Sequence, residues 1–185
     1  ASILLYSMLH LTGHGLTLDD IRDFRQWGSA TPGHPEVGHT AGVEVTTGPL
    51  GQGLANAVGM AMAERNLRAR FGSGLTDHHT FVICGDGDLA EGISHEAASL
   101  AGHQGLGRLV VVYDDNHVTI DGPTELALSD DAPARFRAYG WHVIDLGDAA
   151  EDLDAMEAAI RNAMAVTDRP SLIVLRSHIG HPSPD

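Results

Sequence analysis

Phe81-Val82-Ile83-Cys84-Gly85-Asp86-Gly87-Asp88 indicates the fold class, because a short apolar run passes directly into a turn of glycine and aspartate. A second apolar run, at 109–113, ends in the same way at Asp114-Asp115-Asn116. Short apolar runs of this kind predict buried parallel strands. The carboxyl ends of parallel strands meet at one edge of a sheet, where open α/β sheets bind ligands. The sequence therefore predicts a ligand site built from these two turns.

The rest of the chain alternates between helical and strand patterns. Thr17, with Asp20 three residues later, predicts a capped helix start. The segment 28–48 is rich in Gly, Pro, Thr and His and is too long for an ordinary connector, which favours a functional or a disordered loop. Helices are expected at 3–11 with a wide apolar face, at 18–27, at 54–63 enclosed on nearly all sides, at 91–102, at 130–139 and at 153–164; a turn is expected at 121–123, and strands at 141–146 and 171–176. This order predicts an α/β fold with a doubly wound, mainly parallel sheet flanked by helices.

Composition limits the classes of function. A chain of 185 residues suffices for one α/β domain. With 11 basic and 25 acidic residues its formal net charge is -14, so nucleic acid is not an expected partner and an anionic cofactor needs a metal ion beside it. The single cysteine, Cys84, excludes an internal disulfide and is expected to be buried and inert.

The ends of the chain give expectations about location and completeness. No apolar run reaches the roughly 20 residues that cross a bilayer, and the first residues lack the basic start of a secretory signal. We therefore expect a soluble, cytoplasmic protein with no membrane partner. The chain begins without methionine inside a predicted helix and stops at Ser183-Pro184-Asp185 directly after a predicted strand, which favours a fragment of a longer polypeptide.

The residue types at the two turns are suited to a metal and a diphosphate. The Asp86 carboxylate and the Asn116 amide are hard oxygen ligands for Mg²⁺ or Ca²⁺, and diphosphate oxygens can complete about six ligands. Gly85 and Gly87 let backbone N–H groups approach phosphate oxygens. Glu91, near the start of the following helix, is a candidate for holding the turn or orienting a ligand.

Each of these residues also has an ordinary structural interpretation. A single Gly-Asp-Gly is a common turn, and taken alone Asp86 and Asn116 are more often turn formers or helix caps than metal ligands. Asp114 and Asp115 are by default solvated loop acids. The pairing of Asp86 and Asn116 at two strand ends favours a metal site. A general Mg²⁺-dependent phosphate-binding α/β domain is one interpretation of this pattern.

Longer motifs carry a resemblance to a known family. Gly-Asp-Gly followed after about thirty residues by an Asn is the thiamine-diphosphate fingerprint, and the chain as a whole resembles the transketolase family. The matching motifs, in the family's order, are TPGHPE at 31–36, GVEVTTGPLGQG at 42–53, NAVGMA at 56–61, EGIS at 91–94, YDDN at 113–116 and AYGW at 138–141. They extend over nearly the whole chain and imply the family's thiamine-diphosphate-binding fold.

The resemblance implies a set of site residues. Asp86, Asn116 and the backbone carbonyl of Val118 would hold the metal, and Gly87 and Asn116 would also touch the diphosphate. His34 would face the thiazolium and the substrate as the catalytic histidine. The remaining cofactor-binding candidates are Gly48, Pro49 and Leu50 beside the aminopyrimidine, together with Glu91 and Ile179.

The resemblance also implies an activity and an assembly. The reaction is reversible transfer of a two-carbon ketol group from a ketose phosphate to an aldose phosphate, as in the pentose phosphate pathway, with thiamine diphosphate and Mg²⁺ or Ca²⁺. Residues 1–185 would be the diphosphate-binding domain, incomplete at both ends. The glutamate that activates the aminopyrimidine would lie in a pyrimidine-binding domain absent from these residues. That domain would come from the partner subunit of a homodimer whose active site lies at the subunit interface, so this segment alone would be inactive.

Two departures keep alternatives open. Asp88 adds a carboxylate beside the Gly-Asp-Gly turn, and the segment 177–182 brings two histidines to the end of the last strand. A sibling enzyme such as dihydroxyacetone synthase, or one like deoxyxylulose-phosphate synthase, therefore remains possible, as does a non-catalytic or split cofactor-binding subunit that needs a separate partner. The long match at 42–53 favours transketolase itself.

Overall fold

The computed structural model describes residues 2–120, 122–149 and 151–181. Its helices are α1 (Ser2–Leu11), α2 (Leu18–Arg22), α3 (Gln52–Phe71), α4 (Asp86–Ala90), α5 (Gly92–Gln104), α6 (Ala132–Ala138) and α7 (Leu153–Ala165). Its strands are β1 (Thr80–Gly85), β2 (Leu109–Asp115), β3 (Val118–Thr119), β4 (Gly122–Pro123), β5 (His142–Asp145) and β6 (Ser171–Arg176), and a 3₁₀ turn covers Thr124–Leu126.

The central sheet has the order β1-β2-β6-β5, and every neighbouring pair of strands is parallel. On one face, Val111 and Leu172 pack in a cluster with Ala57 of α3 and Ala98 of α5. On the other face, Val110, Ile173 and their neighbours pack against Ala159 and Ala163 of α7. Helices therefore cover both faces, which confirms the predicted doubly wound α/β fold.

The edge strand β1 departs from the prediction of a fully buried strand. Phe81 and Ile83 are 53% and 48% exposed, whereas Thr80 and Cys84 on the opposite face are buried. The physical reason lies in the helices, because α7 packs on β2, β5 and β6 and α3 covers the other face of β1. Burial raises the pKa of the Cys84 thiol, which fits the expected inert cysteine.

Several helices differ in extent from the sequence-based expectation. Thr17 caps α2 as predicted, with its side chain accepting from the Asp20 N–H at 3.1 Å. The helix ends at Arg22 rather than at residue 27, because Arg25 takes a left-handed backbone with φ 65°. The helix expected at 91–102 is α5, and a short helix that was not expected, α4, precedes it and meets it at Glu91.

The buried faces of α1 and α3 are narrow. In α1 only Tyr6 and Leu9 are buried. In α3 the buried residues form one stripe, while Gly59 and Met62 within the predicted segment 54–63 are exposed, so the prediction of a helix enclosed on nearly all sides was wrong. The exposed apolar residues of α1 are Ile3, Leu4, Leu5, Met8 and Leu11.

The segment between α2 and α3 is an irregular loop that the rest of the chain holds in place. Tyr6 donates its hydroxyl to the Pro32 carbonyl at 2.8 Å, and buried Thr40 donates to the Ala30 carbonyl at 2.7 Å. The Thr47 N–H donates to the Pro35 carbonyl at 3.1 Å. The loop is therefore ordered rather than disordered, and its functional role stays a prediction.

The segment around β3 and β4 and the lengths of the helices bear on two further predictions. The turn predicted at 121–123 falls partly on Asp121, which lies outside the described residues, as do Ala1, Ala150 and residues 182–185. Gly122–Pro123 form β4, which pairs antiparallel with β3. Within the described ranges, no helix has the length and apolar character required to cross a membrane.

Candidate functional site

The two predicted turns lie side by side at the carboxyl edge of the sheet. Gly85 of β1 is in register with Asp114 of β2. Asp86, the next residue, is buried with 6% of its surface exposed. Its Oδ2 accepts the backbone N–H groups of Asn116 at 3.2 Å and His117 at 3.1 Å. The structure thus brings Asp86 and the Asn116 segment into direct contact, as the strand pattern predicts.

Tyr113 holds the other oxygen of this carboxylate. Its hydroxyl lies 2.7 Å from Asp86 Oδ1 and 3.1 Å from Asp115 Oδ1. Burial first, and the Asp86 carboxylate next, raise the pKa of the Tyr113 hydroxyl far above its usual range. Tyr113 therefore remains a proton donor at any physiological pH. Asp115 is paired in turn with Arg176, whose Nη2 lies 2.7 Å from Asp115 Oδ2.

The backbone at His117 explains how both N–H groups reach Asp86. His117 has φ 58°, a left-handed conformation that is uncommon for a residue with a side chain. Asn116 is held on both sides, since its Oδ1 accepts the Val118 N–H at 3.0 Å and its Nδ2 donates to Asp114 Oδ2 at 3.0 Å. Ser177 Oγ donates to the other oxygen of Asp114 and ties the end of β6 to this turn.

The donor set fits a hard divalent cation. A carboxylate has about four lone-pair sites, and the three hydrogen bonds to Asp86 leave one of them free. Asn116 adds an amide oxygen and Val118 a backbone carbonyl, which are ligands that Mg²⁺ and Ca²⁺ accept. In the described part of the chain no group of three His, Cys, Asp or Glu residues could hold a metal. The expected ligand set has one carboxylate, one amide and one backbone carbonyl, so this finding does not test it. The expected ligands therefore stay a prediction.

The segment 48–51 lies directly against the Gly-Asp-Gly turn. A Cβ added to Gly87 would lie 3.2 Å from Leu50 Cδ1, so a side chain at position 87 would press on Leu50. A Cβ added to Gly48 would lie 3.3 Å from His34 Cγ. The structure therefore brings His34 to Gly48 and Leu50 to Gly87, and the role of these residues around a cofactor stays a prediction.

Three predicted site residues lie at the margin of this arrangement. Ile179 is 62% exposed in the segment that follows β6, and none of the contacts above reaches it. Pro49 and Glu91 are exposed, and the Cβ of Glu91 lies 3.0 Å from the position of a Cβ added to Gly51. Their roles as cofactor contacts remain predictions.

Sequence reasoning missed Tyr113, Arg176 and the backbone of His117. The period of two in β2 places Tyr113 and Asp115 on one face, and that signal was present in the sequence. The partners of that face come from β1 and β6, which the sequence of β2 does not reveal. Two clefts, of about 560 Å³ and 930 Å³, flank this region, and both are lined by His117 and Arg176.

A parallel sheet covered on both faces, with an oxygen-rich turn at its carboxyl edge, defines the class of doubly wound α/β proteins that bind their ligand at that edge. The family model described as "Transketolase, thiamine diphosphate binding domain" matches residues 1–185. The chain belongs to the transketolase family.

Individual relatives agree with this assignment. The transketolase of Halalkalibacterium halodurans is 56% identical over 187 residues, which cover 100% of this chain and 28% of the relative. That of Streptococcus pyogenes serotype M6 is 56% identical over 182 residues, covering 97% of this chain and 25% of the relative. The chain thus spans about a quarter of the length of the curated relatives it matches.

Solved transketolases have the same fold. The enzyme from Leishmania mexicana superposes with a TM-score of 0.89 at 49% identity, over 94% of this chain and 26% of that one. A Pichia stipitis transketolase in complex with sedoheptulose-7-phosphate gives a TM-score of 0.88 at 50% identity, over 94% of this chain and 26% of that one. These neighbours confirm the thiamine-diphosphate-binding fold.

Proposed function

We propose that this chain forms the diphosphate-binding domain of a transketolase, which transfers a two-carbon ketol group reversibly from a ketose phosphate to an aldose phosphate. The observation that carries the proposal is the Asp86 carboxylate, buried at the edge of a parallel sheet and held by three donors beside Asn116. The names of the relatives support transketolase over dihydroxyacetone synthase or a split, non-catalytic subunit.

The metal and the diphosphate bind together at the carboxyl edge. Asp86, Asn116 and the Val118 carbonyl hold Mg²⁺ or Ca²⁺, and Gly87 and Asn116 contact the diphosphate. A metal is required because the chain carries a formal charge of -14 and the ligand is itself an anion. Tyr113 keeps the carboxylate in place by donating to the oxygen that the backbone N–H groups leave free.

The loop at 48–50 provides the second wall. Gly48, Pro49 and Leu50 bound the aminopyrimidine side, while Glu91 and Ile179 complete the cofactor's surroundings. Bound thiamine diphosphate supplies a carbon nucleophile and an electron sink, which the side chains of this protein cannot provide. The protein binds the diphosphate, excludes water from the reacting carbon and orients the sugar.

His34 is the residue of this chain that meets the substrate. Its ring packs against Gly48 and its surface is exposed, so it is accessible from the loop side of the site. An imidazole there can hydrogen-bond sugar hydroxyls or move a proton near neutral pH. This assignment agrees with the chemistry of ketose and aldose phosphates, and one solved relative is described as a complex with sedoheptulose-7-phosphate.

The wider setting follows from the same activity. The functional unit is a cytoplasmic homodimer of the pentose phosphate pathway, with the active site at the subunit interface. A pyrimidine-binding domain of the partner subunit supplies the glutamate that activates the aminopyrimidine. Residues 1–185 alone are therefore inactive.

A ketol-transfer assay on the full-length protein tests the proposal. With thiamine diphosphate and Mg²⁺, several ketose phosphate donors are offered to an aldose phosphate acceptor, and product ketoses are quantified. We expect transfer that requires both the cofactor and the metal. Absence of transfer from every donor, under conditions where the cofactor is bound, would contradict the proposed activity.

Replacement of His34 by Ala tests the catalytic assignment. We expect cofactor affinity to remain and kcat/KM to fall about 100-fold, because a positioned acid or base commonly contributes at least that much. His103→Ala, an exposed histidine at the end of α5, is the matched control and should retain full activity. Wild-type kinetics in the His34 variant would remove His34 from the site.

A further inference from the structure

Asp88 links the two walls of the candidate site. Its Oδ2 accepts the N–H of Gly85 at 3.0 Å, next to the metal-binding turn. Its Oδ1 accepts the N–H of Gly51 at 3.1 Å, at the end of the loop that forms the aminopyrimidine wall. In the described part of the chain, this is the one hydrogen bond that joins residues 48–51 to residues 85–91.

The loop is closely fitted to the α4-α5 junction around this bond. Gly51 has φ 77°, and a Cβ added there would lie 2.8 Å from Ser94 Oγ and 2.9 Å from Ile93 Cγ2. Leu50, its neighbour, packs against Gly87. Apolar contacts and shape therefore limit the distance between the loop and the α4-α5 junction. The hydrogen bond from Gly51 to Asp88 is directional, so it limits sliding of the loop along the Gly-Asp-Gly turn.

We propose that Asp88 is a positioning residue that fixes the spacing between the metal-diphosphate anchor and the aminopyrimidine wall. The inference rests on the proposed function, since it concerns how this chain holds thiamine diphosphate. A ligand that contacts both walls gains affinity from the second contact only where the spacing of the walls matches its length. A ligand that contacts the anchor alone gains nothing from that spacing.

A purely local role makes a different prediction. If Asp88 only shaped the Gly-Asp-Gly turn through Gly85, its removal would weaken every ligand of the anchor alike. Inorganic pyrophosphate with Mg²⁺ contacts the anchor without reaching the loop, so it separates the two roles. The ratio of the affinities for thiamine diphosphate and pyrophosphate therefore tests the positioning role. A purely local role of Asp88 would leave this ratio unchanged.

The experiment uses the full-length protein and measures the affinity of Mg²⁺-thiamine diphosphate and of Mg²⁺-pyrophosphate by calorimetry. For Asp88→Ala we expect thiamine diphosphate to bind about tenfold more weakly, as suits loss of a hydrogen bond to a charged group, and pyrophosphate to bind as in the wild type. Asp88→Asn keeps the side-chain volume and one acceptor oxygen, so its affinity should fall between the two.

Hydrogen exchange in the cofactor-free protein gives a second, independent measurement. The Gly51 amide should exchange faster in Asp88→Ala, because its acceptor has been removed. Asp20→Ala is the matched control, since Asp20 accepts the Thr17 N–H at 2.8 Å at the start of α2 as Asp88 accepts that of Gly85 at the start of α4. This control should leave both affinities and the exchange of Gly51 unchanged.

The outcomes separate this inference from the proposed function. If wild-type protein binds no thiamine diphosphate in the presence of Mg²⁺, the proposed function fails and this inference fails with it. If the wild type binds it and Asp88→Ala binds it equally well, only the inference fails. Equal weakening of thiamine diphosphate and pyrophosphate, or unchanged exchange at Gly51, would also overturn the positioning role.

Discussion

At the scale of single residues, the candidate site is organised around a carboxylate whose hydrogen-bonding capacity is nearly filled. Asp86 accepts one hydroxyl and two backbone N–H groups, which fixes both of its oxygens and leaves about one lone-pair site for a cation. A ligand held in this way loses little further freedom when a metal binds. Tyr113 therefore supports the proposed metal site by orienting Asp86.

Tyr113→Phe tests the role of this hydroxyl. The substitution keeps the ring and removes the donor that lies 2.7 Å from Asp86 Oδ1. We expect the affinity for Mg²⁺ in the presence of thiamine diphosphate to fall about tenfold, which is typical for loss of a group that orients a metal ligand. Tyr139→Phe, which removes a hydroxyl bonded to His95 at 3.2 Å, is the control. An unchanged Mg²⁺ affinity in the Tyr113 variant would contradict this role.

The two turns could be predicted at this scale, and their supports could not. Asp86 and Asn116 each stand at the end of an apolar run, so their meeting at one edge follows from the parallel sheet. The sequence of β2 does not distinguish Tyr113 from other strand tyrosines, because its partner Asp86 follows a different strand, β1. The hydrogen bond between Asp88 and Gly51 joins residues 37 positions apart, so no local sequence pattern predicts it.

At the scale of elements, the backbone of α5 at Gly102 lies very close to the backbone of the segment that precedes β5. A Cβ added to Gly102 would lie 1.8 Å from the Tyr139 carbonyl oxygen and 3.2 Å from Trp141 Cδ1. Trp141 Nε1 donates to the Ala98 carbonyl at 2.8 Å across the same junction. A side chain at position 102 therefore requires the backbone of one element to move.

Gly102→Ala and Gly59→Ala form a matched pair that tests this packing. Both glycines are helical, but a Cβ at Gly59 meets nothing within 4 Å. We expect Gly102→Ala to lower the free energy of unfolding by about 1–3 kcal/mol through overpacking. We expect Gly59→Ala to raise it by about 0.5–1 kcal/mol through reduced chain entropy. Urea denaturation measures both, and equal effects of the two substitutions would contradict the packing described.

Element types followed from the sequence better than element ends or exposed faces did. The apolar runs of β2 and β6 identify strands buried on both sides, and the structure buries them. The end of α2 depends on the left-handed backbone of Arg25, a non-glycine residue that gives no sequence signal for it. The exposure of Phe81 and Ile83 depends on where α7 lies, which is a property of the assembled sheet.

At the scale of the whole molecule, stability is expected to depend on pH through a histidine that the fold partly buries. His79 lies half-buried before β1 and close to Arg108. Burial first, and the Arg108 guanidinium next, lower the pKa of the His79 imidazole below its usual range. The folded state therefore favours the neutral ring.

This shift predicts a loss of stability in acid. Below the ordinary histidine pKa of about 6.5, the unfolded chain binds the proton more readily than the folded one. Stability should therefore fall as the pH drops through about 6.5 toward the lowered pKa of the folded state. His79→Gln should reduce the difference in unfolding free energy between about pH 7.5 and about pH 5.5. The exposed neighbour His78→Gln is the control, and an identical pH dependence in the wild type and the His79 variant would contradict the account.

The role of the Gly-Asp-Gly turn as an anchor for metal and diphosphate is tested by the affinity of the full-length protein for thiamine diphosphate. The affinity is measured with Mg²⁺ and with EDTA, in the wild type and in Asp86→Ala. We expect binding in the wild type to require Mg²⁺ and to be lost in the variant. Circular dichroism should show that the variant keeps the fold, because Asp86 stands at the sheet edge. Asp19→Ala, an exposed acid of α2, should bind as the wild type does. Equal affinity of Asp86→Ala and the wild type, or wild-type binding that EDTA leaves unchanged, would contradict the assignment of this turn as the metal-diphosphate anchor.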